Sequence, residues 1–143
     1  MAHTPPPNPT VWLQAVLTEE FGEGRVFQSV KTKVPNWLIT HRMTSGSQEF
    51  KGLPETAGVR AHYHFTAVAP TSQQAWDLSY RALQAIEDAY LTDRKVNNLG
   101  CAGFEIINPP FPRYSVNSID TDQHHQYDFI ARLFFVFPPT KER

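Results

Sequence analysis

The sequence predicts a single α+β domain, in which a mostly antiparallel sheet of about five strands carries two helices packed on one face. Two stretches place apolar residues at helical spacing, and others alternate between apolar and polar residues with a period of two. Their order, helix, two or three strands, helix, two or three strands, favours antiparallel neighbours. We expect the domain to span residues 10–137, between a proline-rich arm at 1–9 and a tail at 138–143.

The proline-rich arm reads MAHTPPPNP and cannot be helical, so we expect it to be extended or mobile. At its end, Asn8 and Pro9 have the residue types of a helix N-cap and of a first helical residue. An apolar stripe at helical spacing then predicts a first amphipathic helix over residues 9–21. Gly22 follows this stripe directly and is expected to end the helix.

Two segments after the first helix, at 25–30 and 36–44, are rich in residues that favour strands. The stretch 45–58 that follows contains several Gly, Ser and Pro residues and predicts a long loop. Loops of this length are more often functional than accidental. Phe50 and Leu53 stand alone there among polar neighbours, so we expect them to contact a neighbouring subunit.

The clearest strand pattern is GVRAHYHFTAVA, residues 58–69. Every odd-numbered position of this segment is apolar, and most even-numbered positions are polar. A period of two places the apolar set on a packed face and the polar set on the opposite face. The polar set consists of Arg60, His62, His64 and Thr66.

A second helix is predicted over residues 71–91, directly after Pro70 ends the strand. Thr71 and Gln74 have the spacing of a capping box, in which each side chain satisfies a free backbone donor near the other. Apolar residues recur at helical spacing along the whole segment. We therefore expect this helix to cover the sheet.

The last part of the chain predicts further strands. Residues 92–103 are expected to form a loop. The segment FEII (104–107) predicts a short strand, which the segment NPPFP (108–112) is expected to break, and residues 113–119 predict another short strand. The last and longest strand is predicted at 126–137, with its odd-numbered residues on the packed face. Asp128 and Arg132 are then expected on the opposite face.

Composition and motifs exclude several classes of function. The 13 basic and 14 acidic residues give a net charge of -1, which argues against binding duplex DNA through bulk charge. The single cysteine, Cys101, is expected to be a packing residue. The sequence contains no apolar run long enough to predict a membrane span. No phosphate-binding loop, nucleophile elbow or zinc-protease motif occurs. We expect no catalytic residue, no metal and no cofactor, and therefore a protein that is not an enzyme.

A metal site is the main alternative to this interpretation. His62 and His64 project from one face of a strand, and His124 with His125 precedes the last strand, where Asp128 lies. These residue types bind Zn²⁺ when they converge, but the sequence does not fix their convergence. A small metal-dependent enzyme that uses these histidines thus stays open, as does a small-molecule-binding domain with an aromatic pocket.

The favoured interpretation of the mixed sheet face is subunit contact. A face that is half apolar and half charged is seldom left to water, and oligomer contacts are a natural use for it. The loop predicted at 45–58 is a second candidate. The residues predicted to contact another subunit or partner are Phe50, Lys51, Leu53, Arg60, His62, His64 and Arg132.

The element order also resembles a known family. The strand-to-helix segment TAVAPTSQQAWDLSYRALQAI, the segment FEIINPPFPRYS and the terminal strand YDFIARLFFVF occur in that order. This layout resembles the tail terminator (tail-completion) proteins of long-tailed bacteriophages, especially the short forms carried by phages of actinobacteria. The resemblance spans roughly residues 10–137 and rests on element order and on the wording of the strand-to-helix junction.

The resemblance implies a structural role in the tail or neck of a virion, after assembly in the host cytoplasm. It implies a hexameric ring that sits on the last ring of the tail tube, stops tube polymerisation and joins the tail to the head. Its partners would be the tail tube protein and the head-tail connector or neck proteins, with DNA passing through the lumen without sequence-specific binding. It implies no enzymatic activity, cofactor or membrane. A neck or head-completion subunit is the alternative within the same assembly.

Overall fold

The computed structural model describes residues 8–28, 37–50, 57–113 and 125–137. Two helices and six strands lie in these ranges. In chain order they are α1 (Pro9–Phe21), β1 (Val26–Phe27), β2 (Leu38–Phe50), β3 (Ala57–Ala69), α2 (Ser72–Leu91), β4 (Lys95–Val96), β5 (Leu99–Pro112) and β6 (His125–Phe137).

The strands form one mixed sheet in the order β1-β2-β3-β6-β5-β4, curled into a half-barrel. The predicted α+β class is confirmed, but six strands replace about five, and β1 pairs with β2 in parallel while every other pair is antiparallel. The two outermost strands, β1 and β4, have two residues each; β1 lies within the predicted strand segment 25–30, whereas β4 lies in the predicted loop. Such short pairs are set by tertiary contact, because two residues carry no periodic pattern.

Both helices begin where their capping residues predicted. The Asn8 side chain accepts a hydrogen bond from the backbone N–H of Thr10 at 3.0 Å, and α1 covers residues 9–21 as expected. The Thr71 hydroxyl accepts one from the N–H of Gln74 at 3.1 Å, so α2 begins at the next residue. Gly22 ends α1 with a φ of 95°, a conformation that glycine adopts without strain.

The hydrophobic core lies between the two helices and the odd-numbered side chains of β3 and β6. Phe65 of β3 stacks on Phe129 of β6 with ring centroids 4.6 Å apart, and both rings are buried. Trp12 of α1 meets the edge of Phe135 at 5.4 Å. Aromatic pairs of this geometry add about 0.5–1.5 kcal/mol beyond the apolar area they bury. The predicted packed faces of both strands are therefore confirmed for most of their lengths.

The long loop predicted at 45–58 is largely wrong. β2 continues to Phe50 and β3 begins at Ala57, with one irregularity of register between Met43 and Ser45. Pairing with β3 overrides the turn-like composition of β2, because strand formation depends on partners more than on local preference. Phe50 thus lies at the end of a strand, whereas Lys51 and Leu53 lie outside the described residues.

The prediction for residues 92–103 is also wrong in part. β4 and β5 form a hairpin through Asn97 and Asn98, which have φ values of 52° and 67°. Two consecutive positive φ values are typical of a type I′ turn, which asparagine tolerates.

The segment NPPFP does not break its strand. β5 extends to Pro112, with register irregularities between Ile106 and Phe111. Proline is accepted there because it needs no ladder partner on an outer edge or at a bulge. The short strand predicted at 113–119 falls, beyond Arg113, outside the described residues.

His41 connects α1 to the sheet through a buried polar contact. Its side chain is fully buried, and its Nε2 lies 2.7 Å from Oε1 of Gln14. The same Gln14 side chain donates to the carbonyl oxygen of Val26 at 3.2 Å, so the contact joins α1, β1 and β2. His41 Nδ1 has no partner among the described residues. Burial lowers the pKa of His41 from 6.5 to about 4.

We predict that the folded protein loses stability between pH 6.5 and pH 4 because of His41. The folded pKa lies below the unfolded value, so unfolded chains bind the proton first and stability falls as the pH drops through this window. The loss between pH 7.5 and pH 4.5 should be about 2–3 kcal/mol, measured by urea unfolding. The variant His41→Gln retains a hydrogen-bond donor for Gln14 but does not titrate. It should therefore lose much less stability over the same pH interval. Equal losses in both proteins would contradict this assignment.

Candidate interaction face

The face of the sheet opposite the helices, called here the helix-free face, carries the even-numbered residues of β3 and β6. Register places His62 opposite Arg132, Arg60 opposite Phe134, and His64 opposite Ile130. The structure therefore brings together all four of the strand residues that the sequence assigned to an interface. They are Arg60, His62, His64 and Arg132.

A buried carboxylate lies at one end of the helix-free face. Oδ2 of Asp128 is 2.6 Å from Nε2 of His64 and 2.9 Å from Nη1 of Arg113, and its Oδ1 accepts from Gln126 at 3.1 Å. The Asp128 side chain is fully buried although it lies on the predicted face. Burying a carboxylate is unfavourable unless charged or hydrogen-bonding partners surround it, and here three side chains do so. The cluster joins β3, β6 and the residue that follows β5.

The two central histidines have different partners. His62 Nδ1 lies 3.2 Å from the hydroxyl of Ser45 on β2, whereas His64 contacts Asp128. Within the ranges that the structure describes, no three His, Cys, Asp or Glu side chains converge as metal ligands. His125 stands opposite Ala69 at the end of the sheet, and His124 lies outside those ranges. Contact between β3 and β6 thus joins one histidine to Asp128, and no third ligand among the described residues joins this pair.

The side chain of Phe134 lies against two glycines, Gly58 and Gly103, on the helix-free face. A Cβ atom at Gly58 would come within 2.6 Å of the Phe134 ring, and one at Gly103 would be 3.3 Å from its Cβ. The guanidinium of Arg60 lies 5.3 Å from the ring centroid, within the range of a cation–π contact. The sequence interpretation missed this arrangement, because the proximity of Gly58 to Phe134 depends on the register of β3 with β6.

The remaining charges of the face are partly paired. Arg132 forms an ion pair with Glu105 of β5. Arg42 of β2, opposite His64, is exposed and forms no ion pair with any described residue. Val136 is also exposed. Arginine and aromatic residues are enriched at protein interfaces, so this composition suits contact with a protein partner.

Among the described residues, neither the single cysteine nor the depression beside α2 has the features of a catalytic or aromatic binding site. Cys101 is buried, its thiol donates to the carbonyl oxygen of Gly103 at 3.2 Å, and burial raises its pKa to about 11. A thiol in this state is a poor nucleophile, which favours the packing role. An open depression of about 380 Å³ lies beside α2, and Trp37 is the one aromatic residue among those lining it. In the part of the chain that is described, no helix is long and apolar enough to span a membrane.

Comparison with known proteins shows the fold. The chain is similar to a solved chain from the virion of a native gene transfer agent particle, with a TM-score of 0.51 and 13% sequence identity over 85% of each chain. No protein-family model matches the sequence, and a search of curated proteins returns no match. At this identity the likeness extends to the arrangement of helices and strands.

We predict that a methyl group at Gly58 destabilises the protein through Phe134. Gly58→Ala should lower the free energy of unfolding by about 1–3 kcal/mol, because the added Cβ overlaps the ring. In a Phe134→Leu background the same change should cost clearly less, as a double-mutant cycle by urea unfolding would show.

Gly100→Ala is the matched control for this prediction. It also lies in a strand, yet its Cβ would be 3.5 Å from the nearest side-chain atom, an ordinary contact distance. The control should leave stability nearly unchanged. A cost at Gly58 that is the same with Phe134 and with Leu would show that the ring is not the cause.

Proposed function

We propose that this protein is a structural component of a virion, and that it forms the ring that terminates a phage tail. The likeness of its fold to a chain from a gene transfer agent virion supports the first part. The resemblance of its element order to tail terminator proteins supports the second. The observation that carries ring assembly is the pair of strand edges, at the two sides of the sheet, that no described residue covers; we call them the open edges.

Both outer strands of the sheet are much shorter than the strands they cover. β1 pairs with Ile39 and Thr40 of β2, and β4 pairs with Leu99 and Gly100 of β5. Among the described residues, nothing pairs with the outer edge of β2 from His41 onward or with that of β5 beyond Gly100. An open edge presents unpaired N–H and C=O groups and is a template for another strand. Soluble proteins normally protect edges of this length.

The two edges are complementary in direction. β2 is antiparallel to β3, β3 to β6, and β6 to β5, so β2 and β5 run in opposite directions. If the next copy is related by rotation about an axis along the strands, its β5 can lie antiparallel beside β2. Contacts between two different surfaces of this kind generate a ring when the rotation closes. The prolines at the end of β5 limit such pairing to roughly residues 101–108.

The proposed ring caps the tail tube, stops its polymerisation and presents a surface to the neck of the head. Ring closure gives every helix-free face the same orientation relative to the ring axis. Arg42, Arg60 and His62 therefore recur in each subunit around the ring. Its partners are the tube protein and the neck proteins, and DNA passes through the lumen without sequence-specific contacts. This role requires no catalytic group, cofactor or membrane.

A neck or head-completion ring is the alternative, and tail length distinguishes it. Particles assembled without this protein should contain tubes of excessive length if it terminates polymerisation. Tubes of normal length that fail to join heads would indicate the neck ring instead. Absence of the chain from purified particles would contradict both roles.

We predict that a charge at the β5 edge abolishes the ring. Ile107 lies on this edge with 41% of its surface exposed, and a lysine there should block strand addition without entering the core. Light scattering after size exclusion should show an oligomer for the natural chain and a monomer for Ile107→Lys. Val11→Lys on α1, where the residue is 46% exposed, is the matched control and should remain oligomeric. A natural chain that is a monomer at all concentrations would refute the ring.

A further inference from the structure

Three aromatic rings form a platform at the surface, on the flank of α2 that faces the first residues of β6. Trp76 lies with its ring centroid 4.7 Å from that of Tyr80 and 5.5 Å from that of Tyr127. Trp76 is 38% exposed, and the two tyrosines are half-buried. We call these three residues the aromatic platform. It is separate from the helix-free face and from both open edges.

The polar atoms of the platform have no hydrogen-bond partner among the described residues. Within the described residues, neither the indole N–H of Trp76 nor the hydroxyls of Tyr80 and Tyr127 form a hydrogen bond. Trp and Tyr side chains at a surface combine an apolar ring with a donor at its rim, and this combination is common at binding sites. The platform thus offers ring faces together with donors that no described residue engages.

The proline-rich arm of this chain matches what the platform offers. Its prolines at positions 5 to 7 have no N–H, so they cannot extend either open sheet edge, and they cannot enter a helix interior. Proline-rich segments favour polyproline II, a conformation whose carbonyl groups have no internal partners. Aromatic-lined surfaces bind such segments by stacking on the proline rings and donating to the carbonyl groups.

We propose that the aromatic platform binds the proline-rich arm of a neighbouring copy of this chain. Residues 4–7 would lie across Trp76, with the indole N–H and the two phenol hydroxyls donating to their carbonyl oxygens. The contact would link copies by a route independent of strand addition.

The position of α1 favours the arm of a neighbour over the chain's own. α1 lies on one flank of α2, where Glu20 pairs with Arg81, whereas Trp76 and Tyr80 lie on the other flank. The arm precedes Asn8 at the start of α1, and this start lies near the end of α2, because the indole N–H of Trp12 donates to the carbonyl oxygen of Arg94 at 2.9 Å. Trp76 lies near the other end of α2, about 20 Å away along the helix, which is farther than the four residues before Asn8 can extend. In this respect the inference rests on the proposed ring.

Binding is tested with a fluorescent peptide of residues 1–8, measured by anisotropy. The protein is the full chain with Pro5, Pro6 and Pro7 replaced by Ser, so that its own arm competes weakly. We expect saturable binding that weakens at least tenfold when the peptide carries Ser at the three proline positions, or when the protein carries Trp76→Leu. Leu91→Ser, which alters another exposed apolar residue of α2, should bind as the parent does. No saturable binding, or equal binding to the Trp76→Leu protein, would overturn the proposal.

The source of the arm is tested by disulfide trapping in the full chain. Pro6→Cys in one preparation and Tyr80→Cys in another should give a cross-linked pair of chains on mixing, whereas Pro6→Cys with Leu91→Cys should give at most a tenth as much. A cross-link that forms within a doubly substituted chain and never between chains would overturn the assignment to a neighbour. Peptide binding by a strictly monomeric protein would refute the ring alone, and a ring without peptide binding would refute the platform alone.

Discussion

Pairing of β3 with β6 is the interaction on which the rest of the structure depends. The two strands are far apart in the sequence, yet they pair without interruption from Ala57 with Phe137 to Ala69 with His125. On one side this register stacks Phe65 on Phe129 beneath the helices. On the other side it places His64 beside Asp128 and Phe134 over Gly58. A slip by one residue would exchange the two faces, so the core and the helix-free face are fixed together.

Polar contacts make this register more specific than apolar packing alone would. Asp128 is buried with its two oxygens accepting from three side chains, and shifting β6 would leave a carboxylate buried without them. On the helix side, His41 and Gln14 form a comparable buried contact between the sheet and α1. The His41 contact lies on β2, beside the outer strand β1, whereas the Asp128 contact joins the two central strands to Arg113, which follows β5. The two contacts therefore fix different parts of the sheet relative to one another.

Local sequence signals predicted the parts of the fold that local chemistry determines. Both helices were predicted from capping residues and apolar stripes, and β3 was predicted from strict alternation along 58–69. The full lengths of β2 and β5 were not predicted, because their Ser, Gly and Pro residues are typical of loops and form strands here only by pairing with a partner strand. The same limit applies to the site: alternation placed His62 and His64 on one face, but the link to Asp128 required the register. The apolar pattern of α2 does not single out Trp76, whose exposed position beside Tyr127 follows from how α2 lies on the sheet.

An image of the assembled particle at a resolution that separates strands tests the central claim most directly. We expect a closed ring in which β2 of each subunit lies antiparallel beside β5 of the next, so that the sheets continue from copy to copy. The helix-free faces would then all have the same orientation relative to the ring axis. Subunits that meet through their helices, with both strand edges open to solvent, would contradict it.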